Sequence, residues 1–312
     1  MKVLGLGTAA MDIVLQCESL PREDGFAFVH YESLFPGGSC ANVLVALARM
    51  GVDTSLVAKI GDDKYGEAFR EDIVRSGVCA RYLFTRPGGI TLHTFVTLAP
   101  NGARAIFCHL GDSLLDLAED EVVPQMLQGV KVFYTDMFPG RPALKLARLS
   151  RELGVRVVFN LECAPSFMQL CRVTMAKIEE MISLCDLLCM SREGLFELTG
   201  VEDPQVAGQT LYQRYRPTEG IVSTCGTQGA IWWLGDKTSI FAPAFNIQAI
   251  DTTGAGDAFI AGLIYAYFCQ EMGRQRALEF ANACGAIKCT QLGARFKASL
   301  EEVNSFLTRN NQ

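Results

Sequence analysis

Short apolar runs alternate with segments of helical periodicity along most of the chain. Residues 3–7, 55–60, 132–135, 155–161, 187–190 and 221–224 read as buried strands, and 41–50, 65–75, 142–153, 205–215, 255–268 and 275–289 carry apolar positions at helical spacing. Strands and helices in turn predict an α/β fold, a mostly parallel sheet covered by helices on both faces. Ligands of such sheets bind beyond the carboxyl ends of the strands. Asp12, Asp136, Asn160 and Ser191 therefore carry the most functional weight.

Two stretches break the rhythm. Residues 13–35 show no clear helix, and Phe26, Phe28 and Tyr31 sit in a strand-like patch. Residues 89–109 alternate apolar and polar around Pro100-Asn101-Gly102, a hairpin with Asn-Gly at its bend. Together they predict a small β-sheet projecting as a lid (13–35 plus 89–109) from an α/β core (1–12, 36–88 and 110–312).

The chain has 312 residues, nearly half of them hydrophobic, enough for one large core. A net charge of −6 with no basic run argues against nucleic acid as a partner. The apolar start is short and broken by Gly5 and Gly7, so no targeting segment is expected, and no run approaches the roughly 18 apolar residues of a membrane span. The twelve cysteines lie mostly in apolar segments, where they act as small hydrophobes. Cys185 and Cys189 lack a second pair, which argues against zinc, and free cysteines without a secretory signal predict a reducing, cytoplasmic setting.

The candidate chemistry centres on DTTGAGD, from Asp251 to Asp257, just before a helix. Gly254, Ala255 and Gly256 let main-chain amides approach an anion, and the helix start adds a positive dipole end. A carboxylate beside that cradle, Asp257, is placed to take a proton from a hydroxyl attacking a phosphoryl group. Taken alone, the segment also reads as a tight turn opening a helix. A second glycine pair, in Gly37-Gly38-Ser39-Cys40-Ala41-Asn42, also precedes a helix and offers main chain and an amide to a polar ligand. Gly5 and Gly7 fit a loose dinucleotide fingerprint, but the helix and second strand it needs do not follow.

The two glycine segments, with Ile60-Gly61-Asp62-Asp63 between them, resemble the PfkB, or ribokinase-like, family of sugar and nucleoside kinases over nearly the whole chain. The resemblance implies a three-layer αβα fold with a small β-sheet lid. It also implies transfer of the γ-phosphoryl group of ATP, with Mg2+, to a sugar hydroxyl. Asp257 matches the family's base, and Gly254, Ala255 and Gly256 its anion hole. Asp12, Gly38 and Asn42 match substrate-binding positions, and Arg104 a lid arginine. Asn160 and Glu162 stand where they would help ring a polyol. Thr224, Gly226 and Gly229 match the nucleotide-side loop, and Asn282 and Ala286 lie on the helix flanking adenine. Asp251 matches a position that holds a monovalent cation, K+, largely through main-chain carbonyls.

The family's N-x-x-E motif is replaced by Ser191-Arg192-Glu193-Gly194, leaving Glu193 to organise Mg2+ through water from one position away. This departure resembles a ketohexokinase- and sulfosugar-kinase-like branch and favours a ketose. A nucleoside kinase and a non-catalytic sugar or nucleotide sensor are the alternatives. Exposed lid aromatics predict a homodimer through the lid.

Overall fold

The computed structural model describes residues 1–100, 104–235 and 237–310, and of Arg104 the backbone only. Its strands are β1 (Lys2–Leu6), β2 (Ala10–Cys17), β3 (Val29–Gly37), β4 (Asp53–Gly61), β5 (Cys79–Arg86), β6 (His93–Leu98), β7 (Arg104–His109), β8 (Val130–Thr135), β9 (Arg156–Leu161), β10 (Leu187–Ser191), β11 (Gly220–Thr224), β12 (Ala230–Trp233) and β13 (Ser239–Ala242). The helices are α1 (Ser39–Arg49), α2 (Lys64–Arg75), α3 (Gly140–Glu152), α4 (Pro165–Leu170), α5 (Met175–Leu184), α6 (Arg192–Thr199), α7 (Pro204–Tyr215), α8 (Ala255–Leu263), α9 (Arg274–Cys289) and α10 (Leu300–Asn310).

Nine strands form one sheet in the order β13-β12-β11-β10-β9-β8-β1-β4-β5. All neighbours from β11 to β5 run parallel, and β12 and β13 add an antiparallel edge. Alternate residues of each central strand feed two cores. Val132 and Tyr134 of β8 and Val158 of β9 face one side, while Phe133, Val157 and Phe159 face the other. This is the two-sided burial expected of a parallel sheet. No described helix is long and apolar enough to cross a membrane.

Strands β3-β2-β6-β7 make a second, smaller sheet. It starts at Ala10, and β3 continues to Gly37, so two of its strands run into the segments that hold Asp12 and Gly38. The pairing of β6 with β7 is the hairpin read from the alternation. Its bend residues, Asn101 and Gly102, lie outside the described residues.

Several elements depart from the pattern reading. The helix expected over 255–268 is α8 followed by a wider, π-type turn at Ile264–Cys269. Strands β5, β12 and β13, and helices α4, α5, α6 and α10, had no matching signal. Strand β5 is an edge carrying Arg81 and Arg86, and charge on an edge blunts the apolar run that would reveal it.

Chain direction across the large sheet reverses around β1, which has β4 on one side and β8 on the other. The crevice beyond these strand ends is where an open α/β sheet places its ligand. Thr8, after β1, and Asp136, after β8, meet there: Thr8 Oγ1 donates to the Asp136 carboxylate at 2.6 Å. Gly7 serves this junction, not a dinucleotide, for a Cβ at residue 7 would lie 2.2 Å from Asp136 Oδ1.

Candidate active site

Asp257 sits in the first turn of α8 with both carboxylate oxygens engaged. Ser39 Oγ donates to Oδ1 at 2.6 Å and Asn42 Nδ2 donates to Oδ2 at 2.7 Å. Both donors come from the first turn of α1, so the two glycine segments of the sequence meet at one carboxylate. Burial pushes the Asp257 carboxyl up, against the lowering effect of the Ser39 and Asn42 hydrogen bonds and the charge of Arg295.

Arg295 is a site residue that the sequence reading missed. It is buried, and its Nη1 donates to Asn42 Oδ1 at 2.8 Å while Nη2 lies 3.1 Å from Asp72 Oδ2. With its oxygen held by Arg295, the Asn42 amide must present its nitrogen to Asp257. Asp72, Arg295, Asn42 and Asp257 therefore form one chain of polar contacts. Arg295 stands between Ala294 and Phe296, both buried, and this is the only local hint that its charge has a partner inside.

Around Asp257 lies a cleft of about 240 Å³ whose walls include Asp12, Gly38, Ser39, Asn42, Glu162 and Gly254. Asp12, on β2, accepts from Thr94 Oγ1 at 2.6 Å, which fixes its carboxylate from the neighbouring strand. Burial raises its carboxyl above the ordinary range. Glu162 borders the cleft as an exposed residue. The protein packed around its carboxyl, then the charges of Asp136 and Asp257, push that carboxyl well up. Gly38 opens α1 at φ 86°, where a Cβ would come within 2.6 Å of Thr8 O. No Lys or Arg is among the described residues that wall the cleft.

Asp136 supports the cleft from behind. It accepts from Thr8 N, Thr8 Oγ1, Cys40 N and Phe138 N, and so holds the start of α1 against the ends of β1 and β8. Burial outweighs these four donors and raises its carboxyl from the usual range to about 6. Between about pH 4 and pH 6 the folded protein holds a proton that the unfolded chain has released, so stability falls as pH rises through that window. The stability advantage of the natural protein over Asp136→Asn in urea unfolding is expected to shrink by about 2–3 kcal/mol from pH 4 to pH 7. A pH-independent difference would show that Asp136 does not titrate there.

The DTTGAGD turn is shaped by Gly254 at φ 76°. Ala255 N–H turns back to Thr252 O at 3.2 Å. The amides of Gly256 and Asp257 are first-turn donors of α8 with no partner inside the helix. A Cβ on Gly256 would meet nothing within 4 Å, so this face of the turn is open.

The expected nucleotide-side residues form a separate group. Asn282 Nδ2 donates to Ala242 O and Pro243 O at 2.9 and 3.0 Å, and a Cβ on Gly229 would lie 2.1 Å from the same Ala242 O. Ala286 follows one turn after Asn282 on α9. Thr224 ends β11, and Gly226 opens the turn after it with nothing within 4 Å of its Cβ position. Between Asn282 and Ala286, a Cβ on Gly285 would lie 3.3 Å from Ala255 O, so this face of α9 packs against the start of α8.

Other expected residues stand apart from the cleft. Asn160 is buried in β9, its Nδ2 3.4 Å from Tyr134 Oη, and is not among the cleft walls. Glu193 is exposed on the first turn of α6. Ser191 caps that helix, accepting from Gly194 N, and a Cβ on Gly194 would meet Leu161 at 3.3 Å. Asp251 accepts from Thr253 N and Gly293 N, both at 2.9 Å. The side chain of Arg104 lies outside the described residues.

Comparison with known proteins supplies the family and the fold. Residues 2–301 match the profile described as pfkB family carbohydrate kinase. The chain is 30% identical over 314 residues to an ATP-dependent ribose-1-phosphate kinase of Halopiger xanaduensis, covering 99% of this chain and 98% of that protein. It is 29% identical over 308 residues to fructokinase-1 of Oryza sativa subsp. japonica, covering 94% and 93%. Among solved structures, Arabidopsis thaliana ribokinase complexed with ribose and ATP has a TM-score of 0.83 at 20% identity, over 98% of each chain. The ribokinase of Thermotoga maritima has a TM-score of 0.84 at 22% identity, over 98% of this chain and 99% of that one. These two structures show the ribokinase-like fold. With a family profile spanning almost its whole length, the chain belongs to the pfkB family of carbohydrate kinases.

Proposed function

We propose that this protein transfers the γ-phosphoryl group of ATP to a hydroxyl of a small, uncharged sugar, a ketose before others, with Asp257 as the general base. The observation that carries this reading is the Asp257 carboxylate, held by Ser39 and Asn42 at the start of α8 and facing the same cleft as Asp12. Asp12, Gly38 and Asn42 would grip the sugar, with Glu162 at the cleft mouth, Arg104 from the smaller sheet, and Asn160 supporting from below. Asp257 takes the hydroxyl proton as that oxygen attacks. The open amides that the Gly254–Ala255–Gly256 turn presents at the start of α8, with the helix dipole, would stabilise charge on the migrating phosphoryl oxygens. Thr224, Gly226, Gly229, Asn282 and Ala286 would line the nucleotide. Glu193 is the carboxylate we assign to the water shell of Mg2+, which would be held with the nucleotide phosphates and neutralise their charge.

The smaller sheet, 13–35 with 89–109, would close as a lid and exclude water. Phe26 and Phe28, which are 99% and 74% exposed, favour a homodimer joined through it. A single monomeric mass by light scattering at every concentration would remove the dimer. All twelve cysteines are free, which suits a reducing cytoplasm.

The cleft walls carry carboxylates and no described basic residue, which favours a neutral acceptor over a sugar phosphate. The test is magnesium-dependent ADP release with fructose and other ketoses, aldoses, ribose 1-phosphate and nucleosides. The fastest turnover is expected with a ketose. Preference for ribose 1-phosphate would overturn the neutral-acceptor assignment, and preference for a nucleoside would overturn the sugar. Binding without turnover across the panel would make the protein a sensor.

A further inference from the structure

Lys288 is the charged group that phosphoryl transfer leaves unused. It lies in the last turn of α9, and its side chain is fully buried, 0% exposed. Its Nζ donates to two main-chain carbonyls, Asp251 O at 3.2 Å and Gln291 O at 2.9 Å. Taking an ammonium out of water costs several kcal/mol, so a lysine keeps such a place only where fixed partners replace its hydration shell. Here they come from two loops. One leads from Ile250 into α8, and the other follows α9.

Both loops are bound to each other around the ammonium. Gly293 N donates to Asp251 Oδ2 at 2.9 Å, and the amides of Ile250 and Asp251 donate to Cys289 O at 2.7 and 3.1 Å. Carbonyls turned inward beside a carboxylate are the donor set that replaces the water shell of a potassium-sized ion. The Asp251 position was expected to hold such an ion, and the residues present do not fit it. The two carbonyls are taken by Lys288, and the carboxylate oxygens by Thr253 N and Gly293 N.

We propose that the Lys288 ammonium is a built-in substitute for a free monovalent cation, fixing the Asp251 loop behind the anion-binding turn and making the protein independent of potassium. Only Thr252 and Thr253 separate Asp251 from Gly254, whose backbone packs on Ala294 of the second loop. Pinning the loops together therefore pins the amides that open α8. The positive charge also bears on Asp257, which favours its ionised form, and adds to the helix dipole. Lys288 is a positioning residue, acting through the turn. Its catalytic consequence rests on the kinase reading above, but its structural consequence does not.

The experiment compares thermal unfolding and ADP release in KCl and in tetramethylammonium chloride at equal ionic strength. The natural protein is expected to show the same Tm and the same turnover in both salts. Lys288→Ala empties the ammonium's place. In tetramethylammonium it should lose Tm and about tenfold in turnover, and both should recover in KCl. Lys288→Met refills the place with apolar atoms and should not respond to KCl. A natural protein whose Tm rises specifically with K+ overturns the proposal, as does a Lys288→Ala protein that ignores K+, whether active or not. Should Lys288→Ala fail to fold, thallium(I) NMR of the natural protein decides: saturable binding overturns the proposal and its absence supports it. The Tm and thallium arms read out even if no sugar is turned over, so failure of the kinase reading is distinguishable from failure of this one.

Discussion

Asp257→Asn is expected to lower turnover by about 10²–10⁴-fold, the contribution of a positioned general base, with the fold intact. The substitution keeps the shape of the side chain and removes its capacity to accept a proton. Its amide oxygen can still receive Asn42 Nδ2, and its amide nitrogen can face the Ser39 hydroxyl, which rotates to accept. A charge in a crowd of carboxylates disappears at the same time, so thermal stability should hold or rise. In the natural protein, burial pushes the Asp257 carboxyl up, so the acidic limb of the kcat/KM profile should fall above the ordinary carboxylate range. That limb should vanish in the variant. Turnover within a few-fold of the natural protein would assign the base elsewhere.

Gly254→Ala should damage both stability and activity. Residue 254 sits at φ 76°, and a Cβ there would lie 2.2 Å from Ala294 O. The left-handed conformation alone costs an L-residue about 1–2 kcal/mol, and the overlap with a main-chain oxygen forces the turn or the Ala294 loop to move. Because the turn carries the amides that open α8, about 10²-fold in turnover is expected to go with it. Gly256→Ala is the control. Nothing stands within 4 Å of its Cβ, so the free protein should tolerate it, with Tm nearly unchanged. Activity should still fall, because the methyl group occupies the face where the phosphoryl group is proposed to pass. Equal Tm losses in the two variants, or full activity in Gly256→Ala, would contradict the role given to this turn.

The parts of the molecule legible in the sequence are those whose signal is local. Central strands such as β8 and β9 are continuous apolar runs because both faces are buried. The hairpin of β6 and β7 shows its alternation, and the two glycine segments show where main chain must come close to something. Strands β12 and β13, four residues each, are too short for periodicity to speak. At the site, Gly38, Asn42 and Asp257 were legible because they sit within the glycine segments, and Asp12 because a carboxylate follows the first apolar run, although the structure places it inside β2. Arg295 was not, since its role is created by Asn42, 253 positions away. Asp136 was noticed for its place after a strand, but its four donors belong to segments brought together only by the folded sheet. Nothing local marks Lys288, because the two carbonyls it binds belong to loops that only the fold brings to it.

The absence of described basic side chains from the cleft wall bears on the end of the proposed cycle as well as its beginning. A neutral sugar enters without electrostatic cost, but after transfer the sugar phosphate would stand as a dianion beside a reionised Asp257. Like charges a few ångströms apart in a partly wet crevice repel by several kcal/mol. The carboxylate proposed to activate the acceptor would thus repel the product it makes, which favours release of the sugar phosphate.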